Sequence, residues 1–284
     1  MHQRYGLPVG YPGTIIINTV SINQVSLYDF DQHVSEIYDR IESGTDDLIQ
    51  IRNLIGQQIE LRILEPFCGT GRLLIPLAED GYHVHGLDQS QAMLDLASKK
   101  IKRLPGNIQA RIILCKSDVV EEAWPVGFDL VILGCNCFYE LASPREQQGC
   151  IRSAYRSLKP NGHLYIDSDH MEGDLAEAWR KMEKVISPLS GICEDGTRVE
   201  NWMETIWFDA LERLVKIRRT VRITSPSGQV SENEYLQQKH PGCSDEVRQW
   251  LGEAGFSIIQ LMGDWEGTPS SPESRRSIFW VRRP

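Results

Sequence analysis

The ten residues Ile63-Leu-Glu-Pro-Phe-Cys-Gly-Thr-Gly-Arg72 restrict the fold more than any other part of this chain. Apolar residues and a carboxylate lead into Gly69-Thr70-Gly71, and Leu73, Leu74, Leu77 and Ala78 follow at helical spacing. The segment therefore reads as a strand, a glycine loop and an amphipathic helix. Glycines let a backbone approach a ligand where a Cβ would collide, and the N-terminus of the next helix offers unpaired N–H groups. A nucleoside-like ligand suits that arrangement.

Strand and helix patterns then alternate: strands over 63–65, 82–88 and 111–115, helices over 73–78 and 90–102, with Ser90 as an N-cap and Met93, Leu94, Ala97 and Ile101 on one face. A βαβαβ order implies parallel strands. Residues 128–133 form an almost wholly apolar run, the pattern of a central strand covered on both faces. Ser143-Pro-Arg-Glu146 predicts a capping box opening a helix to Leu158, Lys159-Pro-Asn-Gly162 a turn, 163–167 a strand and 175–186 a further helix. Residues 1–30, with Pro8 and Pro12, read as an irregular cover segment, and 31–40 and 45–55 as two helices split by Ser43-Gly44.

After Ser187 the pattern changes to three successive strands, 198–208, 213–224 and 230–239, joined by short turns and so antiparallel. In the middle one Val215, Ile217, Val221 and Ile223 share one face, and Lys216, Arg218 and Arg222 the other. The α/β pattern resumes with Ser244 as N-cap, a helix to Ala254 stopped by Gly255, and strands over 256–262 and 277–281. This divides the chain into a cover segment and helices (1–58), an α/β core (59–187 and 241–284) and an inserted antiparallel piece (188–240).

At 284 residues, 41% of them hydrophobic, the chain can bury a large α/β core. A net charge of −9 argues against a broad nucleic-acid surface, which needs clustered Lys and Arg. Seven cysteines, at 68, 115, 135, 137, 150, 193 and 243, show no paired metal-type spacing and suit reduced thiols. The apolar run 14–22 contains Asn18 and Ser21 and is too short to span a bilayer. These features predict a cytoplasmic protein with no membrane or nucleic-acid partner.

A Gly-x-Gly loop alone also fits a dinucleotide site, with Asp88 ending the second strand where a ribose acid belongs. Two residues oppose that reading. The third glycine of the dinucleotide fingerprint would fall at Leu74, and Glu65 sits beside the loop, where a pyrophosphate disfavours negative charge. A cationic ligand reverses the second objection, since a carboxylate there suits an ammonium and a neighbouring sulfonium.

Several motifs then agree in order. Glu65-Pro-Phe-Cys-Gly-Thr-Gly71, Gly86-Leu-Asp-Gln-Ser90, Ser117-Asp118, Phe128-Asp-Leu-Val-Ile-Leu133 and Leu158-Lys-Pro-Asn-Gly-His-Leu-Tyr165 resemble the successive motifs of the class I S-adenosylmethionine-dependent methyltransferases. The resemblance implies a doubly wound, mostly parallel seven-stranded sheet with the last strand antiparallel, and S-adenosylmethionine at the carboxyl ends of the first four strands. It implies cofactor contacts from Glu65, Phe67, Cys68, Gly69, Gly71 and Arg72 in the loop; Asp88, Gln89 and Met93 after the second strand; Ser117, Asp118 and Val119 after the third; and Gly134 and Cys135 after the fourth. Asp88 is expected to hold the ribose hydroxyls and Asp118 the adenine amino group; capping of the next helix and plain turn-making are the structural alternatives. Phe67 replaces the first glycine of the family's loop, so its side chain is expected to point away from the cofactor.

For the acceptor side the candidates are Tyr38, Asn136, Tyr139 and His170 as positioning or catalytic groups, and Tyr28, Trp202, Arg218 and Tyr235 as substrate contacts. His240 is a weaker match, and Gly263-Asp-Trp-Glu-Gly267 precedes the last strand on the side where small-molecule members bind substrate. Asp167 and Asp169 hint at a metal, but the other carboxylates such a site needs are missing and a metal is rejected. The family's Asn/Asp-Pro-Pro-Tyr/Phe element is missing too, which disfavours methylation of nucleic-acid amino groups or glutamine. The inserted sheet is similar to that of glycine-type and amino-sugar N-methyltransferases. The expectation is methyl transfer to a nitrogen, less favourably an oxygen, of a small polar metabolite, yielding S-adenosylhomocysteine, by a monomer or homodimer. The rivals are a protein or RNA methyltransferase, a catalytically silent S-adenosylmethionine-binding protein and a nicotinamide-dependent oxidoreductase.

Overall fold

The structure, a computed structural model, describes residues 16–19, 31–171 and 182–284. In chain order its elements are β1 (Ile16–Thr19), α1 (Gln32–Ile41), α2 (Asp46–Ile55), β2 (Arg62–Pro66), α3 (Leu74–Glu79), β3 (His83–Asp88), α4 (Gln91–Ile101), α5 (Gly106–Gln109), β4 (Ile112–Lys116) and β5 (Phe128–Leu133). A 3₁₀ turn (Cys137–Glu140) leads to α6 (Pro144–Ser157), β6 (Leu158–Asp169), β7 (Val185–Ile186), β8 (Gly191–Ile192), β9 (Arg198–Asp209), β10 (Leu214–Thr224), β11 (Val230–Lys239), α7 (Ser244–Glu253), β12 (Ser257–Met262) and β13 (Arg276–Arg282).

Seven strands form the main sheet in the order β12-β13-β6-β5-β2-β3-β4, parallel except for β13, which runs against both neighbours. Because successive strand residues point to opposite faces, Leu64, Val131 and Phe279 bury against α6 and α7. Ile63, Leu130, Ile132 and Tyr165 bury against α2 and α3 on the other side. The result is the doubly wound three-layer arrangement expected from the alternating pattern. Among the described residues no helix is long and apolar enough to cross a membrane.

β9, β10 and β11 form an antiparallel second sheet, as predicted, but it reaches beyond residues 188–240. Val185–Ile186 pairs with β9, and Ile16–Thr19, part of the expected irregular cover segment, adds parallel to β11. The rest of that segment and of the apolar run 14–22 lies outside the described residues. The same holds for most of the predicted 175–186 helix, whose end at Val185–Ile186 is strand. α1 packs Val34 and Ile37 on Val199, Val221 and Ile223 of this sheet and ties back to the core through Lys100 Nζ and Asp39, 2.7 Å apart. It is wedged between the two sheets.

Three local predictions need correction. The 159–162 turn is a bulge inside β6: Phe128 pairs with Leu158 but Leu130 with His163, and Asn161 takes φ +65°. The cap of α7 is Cys243, whose N–H donates to Glu146's counterpart in this helix, Glu246, at 2.9 Å; Ser244 is already helical. At α6, Ser143 accepts from the Glu146 N–H as expected, but the Glu146 carboxylate reaches one residue further, to the N–H of Ala142 at 2.7 Å.

Candidate active site

The loop after β2 is shaped by three residues in the left-handed region: Phe67 (φ +66°), Gly69 (φ +52°) and Gly71 (φ +80°). The first explains the departure from the family pattern. A glycine is the easy residue for that backbone, and Phe67 occupies it at a cost while its ring packs on the core cluster around Leu64 and Val131. A Cβ at Gly69 would meet open space. At Gly86, opposite Glu65 in β3, it would lie 2.6 Å from both Cys68 Sγ and Leu74 Cδ1, so this glycine lets the loop settle on β3.

Asp88, at the end of β3, organises the loop. Its Oδ2 accepts from the Gly69 N–H at 2.8 Å and its Oδ1 from the Ser90 N–H at 2.8 Å, while the Ser90 hydroxyl caps α4 by accepting from the Met93 N–H at 3.2 Å. The capping alternative is thus present. Gln89 beside it is exposed, and Met93 is buried on the inner face of α4. The Ser117 N–H donates to the Asp88 carbonyl at 3.0 Å, which brings the end of β4 alongside. Asp118 makes a turn there, its Oδ1 accepting from the N–H groups of Val120 and Glu121, and among the described residues its Oδ2 has no protein donor. The Ser117 hydroxyl donates to Glu122 Oε2 at 3.1 Å, and the Val119 side chain joins the core.

Glu65, next to last in β2, is only 7% exposed, and among the described residues its Oε2 has no hydrogen-bond partner. Burial pushes its carboxyl up to about 8, against the opposing pull of Arg72. A buried carboxyl with one oxygen unpartnered beside an open glycine loop is what a cationic ligand would complete and a pyrophosphate would not. On that test the residues fit the positively charged S-adenosylmethionine.

Arg72, expected at the cofactor, is engaged elsewhere. Its Nη1 donates to Gly44 O (2.6 Å) and Asp47 Oδ1 (2.8 Å), and its Nη2 to Asp47 Oδ2 (2.5 Å) and Cys135 Sγ. It clamps α2 and the loop after β5 to the glycine loop. Cys68 is buried in the core and donates its N–H to Leu87 O at 2.9 Å. Burial pushes the Cys135 thiol up to about 12, so it stays neutral and inert.

Gly134 is buried, and Cys135 and Asn136 follow with φ +56° and +62°, two consecutive left-handed residues that bend the chain back over β6. Asn136 exchanges hydrogen bonds with Asp169, Nδ2 to Oδ2 at 3.2 Å and Oδ1 from its N–H at 2.8 Å; the Tyr139 hydroxyl donates to Asp169 O at 3.1 Å. Burial raises the Tyr139 phenol above its ordinary range. Both side chains are therefore tethers in this structure. Asp167 and Asp169 pair with Arg276, which stacks over Trp265, and the Trp265 indole donates to Asp167 Oδ2 at 3.0 Å. The 263–267 segment is thereby docked at the same strand ends. His170 Nδ1 lies 3.3 Å from Ser277 Oγ, and its buried Nε2 has no partner. His240 is a packing residue, fully buried with Nδ1 2.7 Å from Gln147 Oε1.

Two docking contacts close this end. Thr70 Oγ1 donates to Asp39 Oδ1 at 2.5 Å, placing α1, with half-buried Tyr38, against the glycine loop. Glu140 pairs with Lys239 and accepts from Gln237 Nε2 at 2.5 Å, placing β11 on the turn after β5. The expected substrate contacts separate. Trp202 and Arg218 lie on the outward face, Trp202 beneath Lys184 and Arg222 and Arg218 paired with Glu204 at 3.2 Å. Tyr235 lies on the inward face beside Arg219, and Tyr28 falls outside the described residues. Asp39, Asp47, Glu140, Asn201, Arg219 and Lys239 also shape this end without standing among the expected site residues. The signal for Arg219 was available: it occupies the position missing from the covered-face series Val215, Ile217, Val221, Ile223.

A sequence model described as a methyltransferase domain matches residues 64–164. A cypemycin N-terminal methyltransferase from Streptomyces is 31% identical over 229 residues, 78% of this chain and 82% of that protein. Among solved structures, a sugar N-methyltransferase from Streptoalloteichus matches at TM-score 0.67 and 18% identity over 96% of this chain and 100% of its own. A SAM-bound amino pentose methyltransferase from Micromonospora echinaspora matches at TM-score 0.61 and 20% identity over 92% and 100%. With the glycine loop, the Asp88 acid and the seven-stranded sheet already in place, the chain belongs to the class I S-adenosylmethionine-dependent methyltransferases.

Proposed function

We propose that this enzyme methylates a nitrogen of a small polar metabolite. The observation that carries the reading is the closure of the strand ends: α1 and β11 each dock on a loop of the site, through Asp39–Thr70 and Glu140–Lys239, and narrow the approach for a polymer. Two of the relatives, a sugar N-methyltransferase and a cypemycin N-terminal methyltransferase, agree with it.

When bound, S-adenosylmethionine supplies a methyl already activated on a sulfonium, and the acceptor's lone pair forms the new C–N bond as the C–S bond breaks to leave a thioether, the ammonium then losing its proton to solvent. Glu65 would face the positive charge, Asp88 the ribose and Asp118 the adenine amino group. Asn136 and Tyr139, by fixing Asp169 and the loop after β5, hold the floor on which an acceptor is aligned, and alignment with exclusion of water supplies most of the catalysis such a reaction needs. An amine enters as its neutral form and needs no strong base. The His170 Nε2 has no hydrogen-bond partner among the described residues, and an oxygen acceptor would depend on it.

Incubation of the enzyme with methyl-labelled cofactor and a metabolite pool tests this. Label in small amines is expected and persists in His170→Asn; label confined to protein or RNA would refute the small-molecule reading.

A further inference from the structure

We infer that the inward face of the second sheet anchors an anionic group of the methyl acceptor, a carboxylate or a phosphoryl group, between Arg219 and Asn201. The inference deepens the small-molecule reading above and rests on it.

Arg219 is 8% exposed and Asn201 fully buried. Arg219 pairs with Met203 across β9 and with Tyr235 across β11, and Asn201 pairs with Val221, so Arg219 and Asn201 are diagonal neighbours on one face. The Arg219 Nε donates to Gln237 Oε1 at 3.1 Å, but among the described residues its Nη1 has no hydrogen-bond partner. At Asn201 the main chain is satisfied, its N–H donating to Ser190 Oγ at 2.9 Å, while both side-chain amide atoms lack hydrogen-bond partners among the described residues. Buried donors without acceptors cost free energy, and a buried guanidinium costs more unless an anion faces it.

Among the described residues the carboxylate that feels Arg219 is Glu140, and it is already held by Lys239 and Gln237. Arg219, Lys239 and Glu140 together carry one positive charge in excess. A monoanion would neutralise it, and two oxygens would match the guanidinium fork on one side and the Asn201 Nδ2 on the other. Glu140 closes the turn that begins after Asn136, so an acceptor anchored here extends its other end toward the loop after β5.

The test is a matched panel offered with labelled cofactor: α-amino acids against their amides, and amino-sugar phosphates against the parent amino sugars. Binding of each probe to S-adenosylhomocysteine-loaded enzyme is measured calorimetrically alongside. The anionic member of a pair is expected to win, and which pair responds separates carboxylate from phosphoryl. Arg219→Gln should raise its KM or Kd about tenfold to a hundredfold with kcat and cofactor affinity nearly unchanged, and Arg219→Lys should fall between. Should Arg219→Gln not fold, Asn201→Leu takes its place with a smaller effect in the same direction. Neutral members used as well as anionic ones, no anionic member bound or methylated, or an unchanged KM in Arg219→Gln would overturn the anchor while leaving small-molecule methylation intact. Label found only in macromolecules would instead overturn the reading on which it rests.

Discussion

Replacing Glu65 by glutamine removes a buried carboxyl whose protonation sets how tightly the loop holds a cation. In the ligand-free protein burial pushes that carboxyl from an ordinary 4.5 up to about 8. Below pH 4.5 the group is protonated in folded and unfolded chains alike and contributes nothing. Between 4.5 and 8 the unfolded chain gives up its proton and the folded one keeps it, so stability falls by about 1.4 kcal/mol per pH unit and levels off above 8. Summed over that window the loss is about 5 kcal/mol. A cationic ligand reverses the preference: at pH 7 roughly nine-tenths of the ligand-free protein carries the proton, so binding releases close to one proton. Affinity for S-adenosylmethionine therefore rises about tenfold per unit up to pH 8 and then flattens. Glu65→Gln should lose this stability slope and this affinity slope together, and bind more weakly above pH 8. Urea melts at several pH values and calorimetry in two buffers of different ionisation heat measure both. Binding at pH 7 with no proton release, or a variant that keeps the wild-type slopes, would show that Glu65 does not face the cation.

Gly86→Ala puts a methyl 2.6 Å from Cys68 Sγ and Leu74 Cδ1; it should cost about 1–3 kcal/mol in melts and weaken cofactor binding by displacing the loop. Phe67→Gly relieves a left-handed backbone but loses packing, whereas Phe67→Ala loses the packing and keeps the strain, so the alanine variant should be the less stable by about 1 kcal/mol in urea titrations. Asp88→Ala strips the acceptors from the Gly69 and Ser90 N–H groups and should lower cofactor affinity at least about tenfold by calorimetry; unchanged affinity would show that Asp88 lies outside the site. Tyr139→Phe removes one hydrogen bond to the Asp169 carbonyl, worth about 1 kcal/mol of stability, and should leave the pH profile of methyl transfer unaltered, since a tether moves no proton.

Much of the site was legible because it is written in contiguous residues. Helical and strand periodicities, glycine spacing and an acid at a strand end all lie within a few positions, and backbone geometry converts them directly into the loop after β2 and the turn at Asp88. The same local logic exposed the second sheet, since alternation with short turns admits one kind of pairing. It failed where a pattern had two physical outcomes. Lys159-Pro-Asn-Gly162 could end a strand or bulge within one, and pairing of β6 with β5 decided for the bulge. Arg218 and Arg219 are adjacent arginines of equal propensity, yet Arg219 shares the covered face of β10 with Val221 and Ile223 and is buried, whereas Arg218 on the other face is exposed.

By itself, then, the sequence determined the order of the seven main-sheet strands along the chain, the cofactor loop and the family, all carried by short-range geometry. Only the tertiary structure decided that Arg72 reaches Asp47 and Cys135, that Glu140 meets Lys239 across 99 residues, and that Asn201 and Arg219 share an inward face. The reason is physical: a side chain's partner and its burial are properties of what packs against it, and no local period records what arrives from a hundred residues away.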